Sequence, residues 1–292
     1  MRVAFIGAVE FSQRALEKLI SMGTRIVGVC TLQASPGNAD HRDLTPLCLS
    51  SGIPSRYTPD INGEPTVQWL RSLQPDVIFC FGWSRLIRTE LLELAPHGII
   101  GYHPAALPQN RGRHPLIWAL ALGLEQTAST FFVMDEGADS GDSVDQVPVQ
   151  IDSHDDAGSL YRKVTDVALE QIERFVPLLA AGALHPLPQD DGVSNAWRKR
   201  TRADGVIDWR MSAEGIRNLV RALARPYVGA EFSYRGETIK VWRSMAVEAP
   251  ANAEPGKVIS SDCAGVVVKC GQGGLRIIES EPEFKPAAGE YL

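Results

Sequence analysis

The sequence predicts an α/β fold with a mostly parallel sheet, followed by a smaller C-terminal domain of mainly β structure. Two patterns support this prediction. The N-terminal part alternates apolar strands with amphipathic helices from its first residues, and such βαβ units build parallel sheets. The C-terminal part has two hairpin signals and a single helix. The 292 residues are enough for about two domains of roughly 150 residues each.

The first strand–helix–strand unit is read from its hydrophobic periodicity. Residues 3–6 form a short apolar strand, and Gly23 follows the next helix at a position typical of a helix C-cap. The second strand is RIVGVCT, Arg25–Thr31. The helix between the two strands has four apolar residues at helical spacing: Ala15, Leu16, Leu19 and Ile20.

The alternation continues to the end of the N-terminal part. Further strands are expected at residues 76–81, 98–103, 130–134 and 144–149. Helices are expected at residues 67–73, 86–94 and 115–122. A longer helix follows, and its apolar face is made of Leu160, Val164, Val167, Ala168, Ile172, Phe175 and Leu179.

The composition changes after Gly182. The following segment is rich in proline, glycine and polar residues and is interpreted as a linker. Beyond it we expect a helix at residues 213–224, a hairpin that turns at Arg235 and Gly236, and a second hairpin that turns at residues 271–274. Several short strands of this kind close naturally into a small β-barrel. The predicted domains are therefore residues 1–185, a linker at 186–204, and residues 205–292.

Composition and charge exclude several classes of protein. With 44% hydrophobic and 22% charged residues, the chain is neither disordered nor collagen-like. The net charge of −6 does not suggest a general nucleic-acid binder. Five cysteines without a C-x-x-C motif support neither a disulfide framework nor a cysteine zinc site. Glu10 interrupts the first apolar run too early for a signal peptide, so we expect a cytoplasmic protein with no membrane partner.

Glycine-rich segments and histidines give no cofactor or metal motif. The turn after the first strand reads GAVEFS instead of G-x-G-x-x-G, and Glu10 would repel a pyrophosphate, so an NAD site is not expected. The GQGG segment at residues 271–274 is interpreted as a turn. None of the six histidines is spaced as a helical metal pair, and we predict no metal.

His103 ends the predicted strand GIIGYH, and ligands of open α/β sheets bind at the carboxyl ends of strands. A second segment, residues 134–142, is an acidic and glycine-punctuated loop between two strands. It is either a solvated turn or the source of Asp139 as a partner for His103. A histidine–carboxylate pair in a cleft suits acyl transfer, because it can manage a proton and stabilise a developing oxyanion.

The segments HPAALPQNRGRHPLIWAL and TASTFFVMDEGADSGD resemble the motifs of the folate-dependent formyltransferases. The resemblance extends to RKRTRADGVIDW and to the C-terminal region, where it is most similar to the sugar-nucleotide N-formyltransferases. It implies a Rossmann-like catalytic domain with an OB-like C-terminal domain. It also implies transfer of a formyl group from N10-formyltetrahydrofolate, the co-substrate, to an amine.

The resemblance assigns roles to particular residues. His103 matches the catalytic histidine and Asp139 the catalytic aspartate. The folate pocket would be formed by two segments after strands, namely Trp83, Ser84, Arg85, Leu86 and Ile87, and Glu136, Gly137 and Ala138.

Two positions depart from the family pattern. The family asparagine two residues before the histidine, whose amide helps to hold the formyl oxygen, is Gly101 here. The family serine two residues after the histidine is Ala105. A water molecule, a backbone N–H or another side chain such as Asn110 could replace the missing donor. Gly101→Asn tests this point, since a rise in kcat would show a missing donor and a fall would show occupied space.

Three functions are compatible with these motifs. The first is a sugar-nucleotide N-formyltransferase acting on a UDP- or dTDP-linked 4-amino-4-deoxy sugar, for surface polysaccharide or lipopolysaccharide synthesis. The second is methionyl-tRNA formyltransferase, but residues 201–292 hold 12 basic and 12 acidic residues, so nucleic acid is disfavoured as a partner. The third is a binding protein for folate or a nucleotide sugar with impaired catalysis. The sequence leaves a homodimer open.

Overall fold

The computed structural model describes residues 1–36 and 38–292, which group into two compact units. The first unit comprises Met1–Gly112, Ala128–Val149 and Lys163–Trp197. The second comprises Arg113–Thr127, Gln150–Arg162 and Arg198–Leu292. The domain boundaries drawn from the sequence, at residues 185 and 205, stay a prediction.

A seven-stranded sheet forms the centre of the first unit. Its strands are β1 (Arg2–Ile6), β2 (Arg25–Thr31), β3 (Ser55–Tyr57), β4 (Val77–Cys80), β5 (Ile99–His103), β7 (Gln126–Val133) and β8 (Ser143–Gln150). A separate short parallel ladder pairs β6 (Arg111–Gly112) with β9 (Ala196–Trp197). The order in the main sheet is β3-β2-β1-β4-β5-β7-β8. The first five strands in this order are parallel to one another, whereas β7 runs antiparallel to β5, which confirms the mostly parallel sheet.

Most helices lie where the periodicity predicts them. They are α1 (Glu10–Ser21), α2 (Thr45–Ser50), α3 (Glu64–Ser72), α4 (Thr89–Leu92), α5 (Pro115–Ala121), α6 (Ala157–Ala180) and α7 (Ala213–Ala222). The short elements α2 and β3 were not predicted, since neither has enough residues to show a period. The segment from Asn110 to Arg113 does not open a helix; it contributes β6, and α5 begins at Pro115.

The prediction of a helix at residues 86–94 is wrong for its first residues, because the helix begins at Thr89. The structure has only the single turn α4 there. The reason is the side chain of Asn62, which donates to the carbonyl of Leu86 at 3.0 Å and accepts from the N–H of Arg88 at 2.8 Å. These bonds hold the backbone of Leu86 and Arg88 in a loop, so the helix cannot begin before Thr89.

An aromatic cluster fixes one face of the sheet. Phe79 and Phe81 stack with ring centroids 5.3 Å apart, and Phe81 meets Phe131 edge-on at 5.2 Å. Tyr102 packs on the same cluster, 4.2 Å from Phe11 and 4.9 Å from Phe131, and burial raises the pKa of its phenol. Alternation along β5 then directs the neighbouring residue His103 to the opposite face.

The second unit contains α5, α7 and an antiparallel sheet. Its strands are β10 (Ala230–Tyr234), β11 (Glu237–Val247), β12 (Val258–Asp262), β13 (Gly265–Lys269) and β14 (Gly274–Glu281), in the order β10-β11-β14-β13-β12. Both predicted hairpins are present. Arg235 and Gly236 have φ of 52° and 84°, as a two-residue hairpin turn requires. In the described chain β10 and β12 are the two edges, so the hydrogen-bond ladder is open between them.

Two further observations concern the described residues of the whole chain. None of their helices combines the length and the apolar character that a membrane span requires. All five cysteines are free thiols, and four of them are buried. Burial raises the pKa of Cys80 to about 12, so this thiol stays protonated at neutral pH.

Candidate active site

His103 is the last residue of β5 and lies at the carboxyl edge of the parallel strands. The ring is almost completely buried, with 6% of its side chain exposed. Its Nε2 lies 2.8 Å from the carbonyl oxygen of Asn110. A carbonyl can only accept, so Nε2 carries the proton of this hydrogen bond. The loop between His103 and Asn110 thus selects a ring tautomer with an N–H at Nε2.

Asp139 faces the other ring nitrogen, and the structure therefore brings the predicted pair together. Its Oδ2 lies 3.5 Å from His103 Nδ1 and accepts a hydrogen bond of 2.9 Å from the N–H of Gly112. Asp139 lies in the loop between β7 and β8, and its φ is 57°. This left-handed conformation is costly for a residue with a side chain, so neighbouring contacts must hold it.

Gln189 supplies such contacts from the segment that the sequence analysis interprets as a linker. Its Nε2 donates to the carbonyl of Asp139 at 3.0 Å and to that of Gly141 at 2.6 Å. Its Oε1 accepts from Arg111, at 2.8 Å from Nη2 and 3.2 Å from Nε. One carboxamide therefore ties the loop of Asp139 to β6, beside the Gly112 N–H that binds the Asp139 carboxylate.

Asn195 holds the other side of the site from the same segment. Its Oδ1 accepts from the backbone N–H of Asn110 at 2.8 Å, and its Nδ2 donates to Asn110 Oδ1 at 3.3 Å. Its carbonyl accepts from the N–H of Arg111 at 3.1 Å. Sequence analysis missed Gln189 and Asn195, because isolated polar residues between prolines and glycines carry no periodic signal.

We expect Gln189→Glu to lower kcat about tenfold while KM changes little. The carboxylate keeps the contact with Arg111 but has no N–H for the carbonyls of Asp139 and Gly141, so it repels both. Small misplacements of catalytic groups cost one to two orders of magnitude in rate. Steady-state kinetics and a thermal melt measure the effect. Asp190→Asn is the matched control, since it keeps the acceptor for Gly192 N–H; a kcat of Gln189→Glu within twofold of wild type would contradict the role.

Gly101 and Ala105 are both buried and offer no side-chain donor. A Cβ at Gly101 would lie 2.9 Å from Met134 Cγ and 3.0 Å from Phe132 Cζ. The direction in which a side chain would leave position 101 is therefore already filled by apolar atoms. Ala105 has no exposed surface, and its carbonyl accepts from Thr130 Oγ1 at 2.7 Å.

The two segments expected to bind folate are joined in the structure. Thr89 Oγ1, just after the first segment, donates to Glu136 Oε1 at 2.7 Å. Trp83 Nε1 is buried and has no acceptor in the described chain, whereas Leu86 exposes 66% of its surface. The remaining predicted residues of this pocket lie in the same two loops: Ser84, Arg85, Ile87, Gly137 and Ala138. The same segment thus holds a donor without an acceptor and an exposed apolar side chain, a combination that suits a flat heterocycle with polar edges.

Three side chains of the kinds that bind metal ions lie close together in the second unit. The ligand atoms of Asp152, His154 and Asp155 lie within 4.8 Å of one another. Asp155 Oδ1 and Oδ2 already accept from Ser159 Oγ and from the N–H of Asp152. These hydrogen bonds belong to the turn at the start of α6, and they explain why the three side chains lie close together without a metal.

Comparison with known proteins gives one consistent result. A family model described as "Formyl transferase" matches residues 1–176, and one described as "Formyl transferase, C-terminal domain" matches residues 199–289. Among solved structures, the chain is similar to WlaRD, a sugar 3N-formyl transferase crystallised with dTDP and 5-N-formyl-THF. The TM-score is 0.74 at 15% identity, over 97% of this chain and 99% of the other.

Two more solved structures have the same fold. An N-formyltransferase from Helicobacter canadensis, in complex with folinic acid and dTDP-3-aminofucose, has a TM-score of 0.73 at 15% identity, over 94% of this chain and 98% of the other. Methionyl-tRNA formyltransferase from Clostridium thermocellum has a TM-score of 0.63 at 16% identity, over 96% and 99%. At such identities these likenesses concern the fold alone.

Proposed function

Because the chain belongs to the formyl transferase family, we propose that it moves a formyl group from N10-formyltetrahydrofolate to the amine of a nucleotide-linked amino sugar. The observation that carries this proposal is the His103–Asp139 pair at the carboxyl edge of the sheet, with Asp139 Oδ2 at 3.5 Å from Nδ1 and a fixed N–H at Nε2.

His103 would act on the oxygen of the formyl group. The amine attacks the formyl carbon, a C–N bond forms, and the carbonyl oxygen gains negative charge. The Nε2–H of His103 exchanges its hydrogen bond with the carbonyl of Asn110 for one with that oxygen, and thereby stabilises the negative charge. The Asp139 carboxylate, held by the N–H of Gly112, takes up the proton that the attacking amine loses. The bond to N10 then breaks, and that nitrogen receives the proton that Asp139 took up, so charge and atoms balance.

The loops after β4 and β7 would hold the folate. We assign Trp83, Ser84, Arg85, Leu86 and Ile87, together with Glu136, Gly137 and Ala138, to its pocket. Trp83 Nε1 supplies a buried donor without an acceptor in the described residues, and the Thr89–Glu136 hydrogen bond holds the two loops together. Folate supplies the activated formyl group, and the chain's own residues bind it and exclude water.

The acceptor class follows from two different comparisons. Two proteins of similar structure were crystallised with dTDP and with dTDP-3-aminofucose. The sequence resemblance instead favours a 4-amino-4-deoxy sugar linked to UDP or dTDP. We therefore propose a nucleotide-linked amino sugar as the substrate class. The assay below identifies the nucleotide base and the position of the amine on the sugar.

A turnover assay tests the proposal. The purified protein is mixed with N10-formyltetrahydrofolate and a panel of UDP- and dTDP-linked sugars with amines at C3 or C4. Initiator methionyl-tRNA is added as a rival acceptor, and mass spectrometry detects one added formyl group. A formylated sugar supports the proposal. Formylation of methionyl-tRNA alone, or of no acceptor, would show that it is wrong.

The basic run at residues 198–200 is the feature that most favours a tRNA acceptor. Within the second unit, however, Arg198 Nη1 donates to Asp204 Oδ2 at 2.8 Å, and Arg200 donates to the carbonyl of Asp204. Both guanidinium groups also lie over the ring of Trp118, at 5.3 and 4.5 Å. Both arginines are thus held by neighbours in the second unit, and the carboxylate of Asp204 offsets part of the positive charge of the run.

A further inference from the structure

The formyl oxygen needs a second hydrogen-bond donor that position 101 does not supply. Gly101 has no side chain, and the space a side chain would enter is filled by Met134 and Phe132. Ala105 is buried and apolar. A second donor must therefore come from another element near the Nε2 of His103, and the nearest established contact of that atom is the backbone of Asn110.

The hydrogen bonds between Asn110 and Asn195 fix the orientation of both carboxamides. A backbone N–H only donates, so the Asn195 atom that faces the N–H of Asn110 at 2.8 Å is the carbonyl oxygen Oδ1. The other end of that carboxamide, Nδ2, is then the donor to Asn110, at 3.3 Å. Asn110 must present its own Oδ1 to this donor. Its Nδ2 therefore has no acceptor among the described residues.

This free amide belongs to the residue whose carbonyl holds the His103 proton. The carbonyl oxygen that lies 2.8 Å from His103 Nε2 and the free Nδ2 therefore belong to the same residue, Asn110. Asn110 is only partly buried, so a ligand can reach it. Its φ of 63° is tolerated by asparagine better than by most residues, and the bidentate contact with Asn195 holds it there.

We propose that the Asn110 carboxamide donates to the formyl oxygen in place of the amide missing at position 101, and that Asn195 is the positioning residue that turns Nδ2 toward it. This inference rests on the proposed function. Asn110 and His103 together then form the oxyanion site, one donor from the loop and one from the ring. Removing one donor from such a site lowers kcat about 100-fold.

Variants of Asn195 separate this role from a structural one. In Asn195→Asp one carboxylate oxygen still accepts from the Asn110 N–H. The other oxygen repels Asn110 Oδ1, so the Asn110 amide rotates. Its Nδ2 then donates to the new carboxylate and is no longer available to the formyl oxygen. Asn195→Ala removes both contacts but leaves the amide free to rotate. We expect Asn195→Asp to lower kcat at least as much as Asn195→Ala, whereas a structural role would make Ala the worse variant.

Binding of a stable folate analogue provides a readout that does not depend on turnover. The probes are 10-formyl-5,8-dideazafolate and the same compound without its formyl group, measured by calorimetry. In Asn110→Ala and Asn195→Asp the formylated probe should lose about tenfold in affinity, while the unformylated one should bind as in wild type. Gln109→Ala, an exposed neighbour in the same loop, is the control and should change neither.

The outcomes distinguish this inference from the proposed function. If wild type transfers no formyl group to any sugar, the proposed function is wrong, and the pair of probes still decides the role of Asn110. If Asn110→Ala keeps kcat within threefold and binds both probes normally, the inference is overturned. Equal losses for both probes would also overturn it, because they would show a general effect on the folate pocket.

Discussion

Replacing His103 with alanine is expected to lower kcat about 10³-fold, the largest single effect of any substitution in this chain. The change removes the Nε2–H that the carbonyl of Asn110 holds and the ring that faces Asp139. The oxyanion donor is then lost, and the carboxylate of Asp139 no longer has the ring 3.5 Å from its Oδ2. The measurement is kcat and KM with N10-formyltetrahydrofolate and the sugar acceptor found by the assay panel, with folding checked by circular dichroism.

A histidine elsewhere on the chain provides the control for this prediction. His97 precedes β5, is exposed, and lies at the opposite end of the strand from His103. His97→Ala should keep wild-type kcat. Asp139→Asn should lower kcat by itself, and the double variant His103→Ala/Asp139→Asn should be no worse than His103→Ala, because the two side chains act as a unit. If the kcat of His103→Ala lies within tenfold of the wild-type value, His103 does not take part in the reaction as proposed.

Restoring asparagine at position 101 is expected to damage the protein instead of improving it. The first atom of the new side chain would lie 2.9 Å from Met134 Cγ and 3.0 and 3.1 Å from the Phe132 ring. Overpacking of this kind costs about 1–3 kcal/mol, and burying an unpaired amide among these apolar atoms adds about 1–3 kcal/mol. We expect a lower free energy of unfolding in urea and a kcat no higher than that of wild type.

Second-site variants make this steric explanation testable. Gly101→Ala adds only the Cβ and should destabilise less than Gly101→Asn. Met134→Ala in the Gly101→Asn background should recover part of the lost stability, since it removes the Cγ atom that is closest to the new side chain. If Gly101→Asn is as stable as wild type and turns over faster, position 101 has room for an amide, and the assignment of the second donor to Asn110 loses its premise.

The candidate site illustrates two kinds of information in the sequence. His103 and Asp139 were predictable because each belongs to an ordered motif, and because strand ends gather at one edge of a parallel sheet. The proximity of the two segments expected to bind folate was predictable only in outline, since a hydrogen bond such as Thr89 to Glu136 depends on the side-chain conformations of both loops. The truncation of the helix expected at residues 86–94 has the same origin, in the distant side chain of Asn62.

The fold class, most of the helices and strands, both hairpins of the second unit, and the proximity of His103 and Asp139 were predictable from the sequence. These features follow from local periodicity and from motifs that are contiguous in the chain. The tertiary structure alone decided that residues 189–195 hold the site, that the space beside Gly101 is filled, and that the Asn110 amide is free. The physical reason is that these contacts join residues far apart in sequence, such as Asn110 and Asn195, and hydrogen-bond direction and packing space exist only once the chain has folded.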